Sequence, residues 1–331
     1  MIAGVERRAL ITGIGGQDGS LLSELLLDEG YAVYGIARRS AAEYPNLAGL
    51  VDRIELIDAD LNDQDALVGA LRSCDPHEVY NLASVSFVPL SWEQPVRTAQ
   101  LAAVGVTSLL EAIRETGGDT RFYQASSSEI FGEPLESPQS ESTPLNPLTP
   151  YGVAKSYAHF IVRSYRYRYD LHASCGILFN HTSPRQPLEF LPRKVARAVA
   201  VIRLGLEHEL CLGDLSSRRD WGHAGDYVRA QWLMLQQEEA SDYVIATGET
   251  HSVEELVTCA FAHVGLDWRD HVAVDESLKR GKAELHDLVG NAAKARDRLG
   301  WEPRFDFPTL ITMLVDAEVE RLGTGQTASS R

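Results

Sequence analysis

The sequence predicts an α/β chain: a doubly wound, Rossmann-like parallel sheet followed by a smaller C-terminal α/β domain. Three observations predict it. Short β-rich runs alternate with longer helical patterns from RALITG to TRFYQAS, the signature of a parallel sheet with helices on both faces. A glycine-rich turn, ITGIGGQDGS, lies between the first strand and the first helix, where such folds open a ligand site. After about residue 180 the alternation loosens into NHTSPRQPLEFLPRK, rich in proline and polar residues.

In chain order, RALITG is expected as the first strand, SLLSELLLDEG as the first helix, YAVYGIA and RIELIDADL as the next strands, and DQDALVGALRSC as the second helix. EVYNLAS is the fourth strand, the stretch from Trp92 to Ile113 is helical, and TRFYQAS is the fifth strand. Beyond these, ELCLGD and DYVIATG are strand-like and SVEELVTCAFAHVG is helix-like. Residues 1–180 are therefore expected to form a dinucleotide-binding domain that carries the reacting residues. Residues 181–322 are expected to form mainly a substrate-binding domain closing over the C-terminal edge of the sheet, and 323–331, GTGQTASSR, a disordered tail.

The 331 residues are 44% hydrophobic and 24% charged, ordinary for one large domain or two smaller ones. With 31 basic against 47 acidic residues the net charge is −16, so the surface as a whole repels nucleic acid and anionic lipid. Neither is expected as a partner, and an anionic ligand needs a local basic pocket. Cys74, Cys175, Cys211 and Cys259 form no CxxC pair and the ten histidines no H-x-x-x-H pair, so neither a disulfide framework nor a metal site is expected. A reduced, cytoplasmic protein fits. The apolar run after MIAGVERR is too short and glycine-rich for a signal peptide, and no stretch approaches the ~20 apolar residues of a membrane span.

Gly13, Gly16 and Gly19 follow the first strand with the spacing G-x-x-G-x-x-G. Glycine at these points permits a tight turn, close approach to a pyrophosphate and close packing of the helix, whose N-terminus supplies amide donors. At the end of the second strand an NAD site usually places an acid for the ribose hydroxyls; here the chain reads GIARRS. Arg38 and Arg39 would instead clamp a 2′-phosphate, so NADP is expected. Asp60 and Leu61 stand where the adenine edge would lie, though an aspartate there could equally cap a helix. In PYGVAKS, Tyr151 and Lys155 lie four apart on one helix face. An ammonium beside a phenol, with a nicotinamide cation close by, favours phenolate and makes the tyrosine a base. Upstream, QASSSEIFG sets three serines and a glutamate at a strand end, either a polar strand end or a proton donor and a carbon-acid base two residues apart.

Glycine loop, SSSE and Tyr-Lys pair together resemble the extended short-chain dehydrogenase/reductases that act on nucleotide sugars. GILFNHTSPR, RKVARAVAVI, SRRDWGHAGDYVRAQWLMLQQ and DYVIATG are similar to the GDP-mannose 4,6-dehydratases in particular, and the resemblance runs over about residues 8 to 320. It implies a catalytic set of Ser127, Glu129, Tyr151 and Lys155. Tyr151 would remove the 4-hydroxyl proton as hydride leaves C4, Lys155 would hold the cofactor ribose, and Ser127 would bond the reacting oxygen. Glu129 would take the C5 proton as water leaves C6, and the hydride would return to C6. Ser126 and Ser128 are expected to satisfy backbone groups instead. Gln17, Asp18 and Leu82 join the cofactor set. Ser86 matches a position near the sugar, while Asn180, Lys194 and Arg219 match positions holding the nucleotide diphosphate.

The chain departs from that pattern at three places. Phe87 stands where the dehydratases generally have histidine, and Gln186-Pro187-Leu188 replaces an arginine-glycine-glutamate stretch. The late arginine is displaced within KRGKAEL, where Arg280 or Lys282 would substitute. The expected activity is conversion of GDP-mannose to GDP-4-keto-6-deoxymannose by a homodimer or homotetramer. The alternatives are a nucleotide-uronate decarboxylase, a 4-epimerase, or a non-catalytic NADP sensor. A sensor would be expected to have lost Tyr151 or Lys155.

Overall fold

The computed structural model describes residues 7–38, 40, 43–278 and 288–329, with side chains through residue 323. The first part follows the predicted alternation: β1 (Arg8–Thr12), α1 (Gln17–Asp28), β2 (Ala32–Ala37), β3 (Ile54–Asp58), α2 (Gln64–Cys74), β4 (Glu78–Asn81), α3 (Val88–Glu93), α4 (Pro95–Ala99), α5 (Gly105–Thr116) and β5 (Arg121–Ser127). Then come α6 (Pro150–Tyr169), β6 (Ala173–Leu178), β7 (Asn180–Thr182), α7 (Leu191–Arg203), β8 (Leu210–Leu212), β9 (Arg218–Arg219) and β10 (Trp221–His223). The chain closes with α8 (Ala224–Leu235), β11 (Asp242–Ile245), β12 (His251–Ser252), α9 (Val253–His263), β13 (Val272–Val274), α10 (Ala293–Leu299) and α11 (Phe307–Ser329). The helical backbone of α11 continues into the segment 323–331, for which the sequence predicts disorder.

Seven strands form one sheet in the order β11-β6-β5-β4-β1-β2-β3, and all neighbouring pairs are parallel. Strand order reverses between β1 and β4, which leaves a crevice at their C-terminal ends. β6 is buried along its whole length, as a strand covered on both faces must be. Leu22 and Leu26, four apart on α1, pack with Met234 and Leu235 of α8 on one face. On the other face Leu67 and Leu71 of α2, Leu109 and Ile113 of α5, and Val162 of α6 form a second core. Each such side chain contributes about 1.5–3 kcal/mol on burial.

The smaller lobe packs Val195 and Val199 of α7 against Leu256 and Phe261 of α9 and Leu310 and Leu314 of α11. The expected boundary at 180 is crossed back, because α8 packs on α1 and β11 pairs with β6. Without DYVI, β6 would be an edge strand with its backbone groups unpaired. A second difference lies in Pro95–Thr116, a continuous helix of 22 residues with an 18-residue window of mean hydropathy 1.2, long and apolar enough by length and composition to cross a bilayer. No such stretch was expected. Half of that window is buried in the fold, where Val106, Leu109, Leu110 and Ile113 pack on Leu10, Val79 and Phe122 of the sheet, beside α2 and α6.

Candidate active site

A cleft of about 1200 Å³ opens over the C-terminal edge of the sheet. From the glycine loop and the ends of β2, β3 and β4 it is lined by Gly13, Gly16, Gln17, Asp18, Gly19, Arg38, Asp60, Leu61 and Leu82. Ser86, Ser127, Glu129, Tyr151 and Lys155 line it further along, and Asn180, Lys194 and Arg219 come from the later part of the chain. The fold thus brings the predicted residues that it describes into one cleft. Arg39, Arg280 and Lys282 lie outside the described residues.

The glycine loop fits a dinucleotide. Gly13 has φ +71°, and a Cβ there would lie 2.9 Å from the Ala83 backbone; a Cβ on Gly19 would lie 2.4 Å from the Gly13 carbonyl. The turn and the seating of α1 therefore both require glycine. No side chain caps α1 at Gly16, so its first-turn amides suit an anion. The side chains of Gln17 and Asp18 are committed elsewhere. Asp18 accepts from His181 at 2.9 Å, Gln231 at 3.1 Å and Gln17 at 3.1 Å, and Ser183 donates to Gln17 at 2.9 Å. Arg38 is more than half exposed and pairs with Asp60 at 3.4 Å. The helix cap is Asp63, which accepts from Ala66 N; Asp60 bonds Asn62 instead and faces the cleft.

One wall of the cleft is built by the end of β5 and the start of α6. After Ser127 the chain makes one 3-10 turn, Ser128–Ile130, and Ser127 Oγ accepts from Glu129 N at 3.3 Å. The turn sends both side chains to the cleft. Thr149 caps α6 by accepting from Gly152 N, with Pro150 in the first turn, and its hydroxyl donates to Glu129 Oε2 at 3.5 Å. A Cβ on Gly152 would sit 2.5 Å from the Glu129 carbonyl, so glycine allows α6 to approach this loop. Tyr151 and Lys155 then stand one turn apart, with Lys155 Nζ 5.6 Å from the centre of the Tyr151 ring.

Burial pushes the Tyr151 phenol well above its ordinary value, the hydrogen bond with Ser127 pulls it down, and the charge of Glu129 raises it. Burial lowers Lys155 to about 8, and its ammonium donates to the Ala125 carbonyl at 2.8 Å. Ser126 Oγ is buried with no hydrogen-bond partner among the described residues, a correction to the expectation that it satisfies the strand-end backbone; the backbone there is already paired within the sheet.

Asn180 is the register partner of Trp221, which sets it beside the RRDW segment. Asp220 fixes that segment from below, accepting from Thr247 N at 2.9 Å, Thr247 Oγ1 at 2.6 Å and Gly248 N at 3.0 Å. Lys194 donates to the Cys211 carbonyl at 3.1 Å. Phe87 meets Phe190 edge-on, ring centres 5.5 Å apart, and both line the cleft. Sequence reasoning missed Tyr44, whose ring lies against Gly15, as well as Thr149, His181 and Asp220. For Asp220 the signal was a lone acid beside two arginines in RRDW; Tyr44 and His181 carry no local signal. Away from the cleft, His159, Cys175 and Asp242 bring metal-ligand atoms within 4.8 Å of one another. Arg166 lies 2.5 Å from Asp242 and Arg163 3.8 Å, cations that compete with a metal for the carboxylate.

A family model described as GDP-mannose 4,6 dehydratase matches residues 10–314. The chain is similar to GDP-mannose 4,6 dehydratase 1 of Arabidopsis thaliana, 45% identical over 327 residues, which cover 94% of this chain and 90% of that one. It is 43% identical over 348 residues to the GDP-mannose 4,6 dehydratase of Homo sapiens, with 97% and 93% covered. Among solved structures, the dTDP-glucose 4,6-dehydratase from Streptomyces venezuelae with NAD and TYD bound is similar at TM-score 0.83 and 25% identity, with 96% and 98% covered.

Proposed function

The chain belongs to the GDP-mannose 4,6-dehydratase family, and on that footing we propose that it removes water from GDP-mannose to give GDP-4-keto-6-deoxymannose. It is a nucleotide-sugar dehydratase, a carbon–oxygen lyase. A nicotinamide cofactor held by the glycine loop and the first-turn amides of α1 would supply reversible hydride transfer, the two-electron chemistry a redox-neutral dehydration needs. Tyr151 takes the 4-hydroxyl proton, with Ser127 hydrogen-bonded to it. Lys155 supplies the nearby cation that favours phenolate. Glu129 takes the C5 proton once C4 is a ketone, since that proton is then acidic, and the hydroxyl of Thr149 orients the carboxylate.

The observation that carries this reading is the single wall on which Ser127, Glu129, Tyr151 and Lys155 face the cleft beside the glycine loop. Lys194 and Arg219 supply the local positive charge that a diphosphate needs on a chain of net charge −16, and Asn180 adds a neutral amide donor. Arg38 selects NADP by meeting a 2′-phosphate at the end of β2. The enzyme is a homo-oligomer of the cytoplasm. Val96 and Val104 of the continuous helix Pro95–Thr116 and Val153, Tyr157 and Phe160 of the adjoining α6 are between 45% and 70% exposed, an apolar face suited to a second copy.

The test is incubation of the NADP-loaded enzyme with GDP-mannose. Mass spectrometry should show loss of one water, and no reduced nicotinamide should accumulate with product. Growth of the reduced-nicotinamide absorbance in step with product would mark a simple dehydrogenase.

A further inference from the structure

Buried polar side chains in the middle strands of a parallel sheet need partners. Thr12, Asn81 and Gln124 are each at most 1% exposed. They are register partners across three adjacent strands: Thr12 faces Asn81 between β1 and β4, and Asn81 faces Gln124 between β4 and β5.

Their hydrogen bonds form a chain with one polarity. Leu82 N and Ala83 N both donate to Thr12 Oγ1 at 3.1 Å. That occupies the acceptor sites of the hydroxyl and leaves its single proton for Asn81 Oδ1, 2.6 Å away. With its oxygen so engaged, Asn81 turns its amide nitrogen to Gln124 Oε1 at 2.8 Å. Gln124 must then present its own amide nitrogen onward, and it donates to the Ala125 carbonyl at 2.9 Å. The same carbonyl takes the Lys155 ammonium at 2.8 Å. Each link fixes the orientation of the next, from backbone amides beside the glycine loop to the lysine.

We propose that Thr12, Asn81 and Gln124 are positioning residues for Lys155, acting through the Ala125 carbonyl. The relay holds that carbonyl with one acceptor site filled, so that the ammonium has one fixed anchor and keeps its remaining protons for the cleft. The proposal rests on the reading of Lys155 as a catalytic residue.

A double-mutant cycle tests it on the NADP-loaded enzyme with GDP-mannose, using Gln124→Met, Lys155→Met and the double variant. Gln124→Met alone should lower kcat roughly 10- to 100-fold through misplacement of the ammonium, with KM within about twofold. In the Lys155→Met background the same change should alter kcat by less than about twofold, because the group it positions is gone. Losses that multiply would overturn the relay while leaving Lys155 in its role. A Lys155→Met enzyme of near wild-type kcat would overturn the reading of Lys155 and the relay with it. Should Gln124→Met not fold, the other end of the chain decides. Thr12→Ser keeps the hydroxyl and should keep kcat, whereas Thr12→Val should lose it with KM and NADP binding unchanged; equal behaviour of the two variants sinks the proposal.

Discussion

The carboxylate of Asp18, in the first turn of α1, lies 2.9 Å from Nε2 of His181 in β7, a pairing of residues 163 positions apart. The other ring nitrogen lies 2.8 Å from the Phe179 carbonyl. Both neighbours are acceptors, so both ring nitrogens carry hydrogen and the ring is an imidazolium. Burial opposes that charge, but the charge and hydrogen bond of Asp18 overcome it and hold His181 above its ordinary 6.5. Asp18, whose burial acts the other way, is held below its ordinary 3.8 by the same partner. The ring also stacks on Tyr227 at 4.5 Å, so the pair ties the glycine loop to the start of the smaller lobe.

This pair makes stability depend on pH. The raised pKa of His181 contributes stability that is complete below 6.5 and lost as pH rises through the folded value. The depressed pKa of Asp18 contributes stability that is complete above 3.8 and lost as pH falls through its folded value. Both contributions are therefore full between 3.8 and 6.5. His181→Gln should lower the melting temperature most in that window, by the equivalent of about 1.5–3 kcal/mol for a part-buried hydrogen bond between charged groups, and least near pH ~9. An equal deficit at both ends, read by calorimetry, contradicts the assignment.

Arg38 should govern cofactor choice. Arg38→Ala should weaken NADP by about 1.5–3 kcal/mol, roughly 10- to 150-fold, the worth of a hydrogen bond to a charged group, and leave NAD almost unchanged. Fluorescence titration with both cofactors reads the ratio. Since Asp60 sits 3.4 Å from the guanidinium, Asp60→Asn should shift the ratio further toward NADP by removing the competing carboxylate. A wild-type protein that binds the two cofactors equally removes the claim.

The low pKa of Lys155, about 8 through burial, should appear in the kinetics. The ammonium is the form that favours phenolate, so kcat/KM for GDP-mannose should fall as pH rises through about 8. Replacing the lysine by arginine, which stays charged, should abolish that limb even if the rate drops. Persistence of the same limb in Lys155→Arg would assign it to another group.

Glu129 has the most specific consequence. In heavy water the product should carry solvent deuterium at C5, and Glu129→Gln should slow elimination roughly 10²–10⁴-fold, as for a lost general base. Tyr151→Phe should instead suppress the earlier oxidation while leaving folding intact, because only a hydroxyl is removed. Mass spectrometry and NMR of the products separate the two variants. Wild-type dehydration by Glu129→Gln, or a product without C5 exchange, would reduce the glutamate to a polar strand end.

The sequence by itself determined whatever is written at short range. Strand and helix alternation, the three glycines, the four-residue spacing of Tyr151 and Lys155, and the serines and glutamate at the end of β5 are all local patterns, because a helix repeats every 3.6 residues and a strand every two. Tertiary structure decided what depends on residues meeting from distant parts of the chain. Nothing in DYVIATG says that it completes the first sheet; the open edge of β6 does. The sequence sets Asp18 among the cofactor residues beside the glycine loop; only the fold brings His181, 163 residues away, to its carboxylate. Asn81 and Gln124 were only polar letters in apolar strands until parallel register set them side by side with Thr12 and led them to Lys155. Hydrogen bonds of that kind are fixed by burial, which denies each group water and leaves it only the protein groups packed around it.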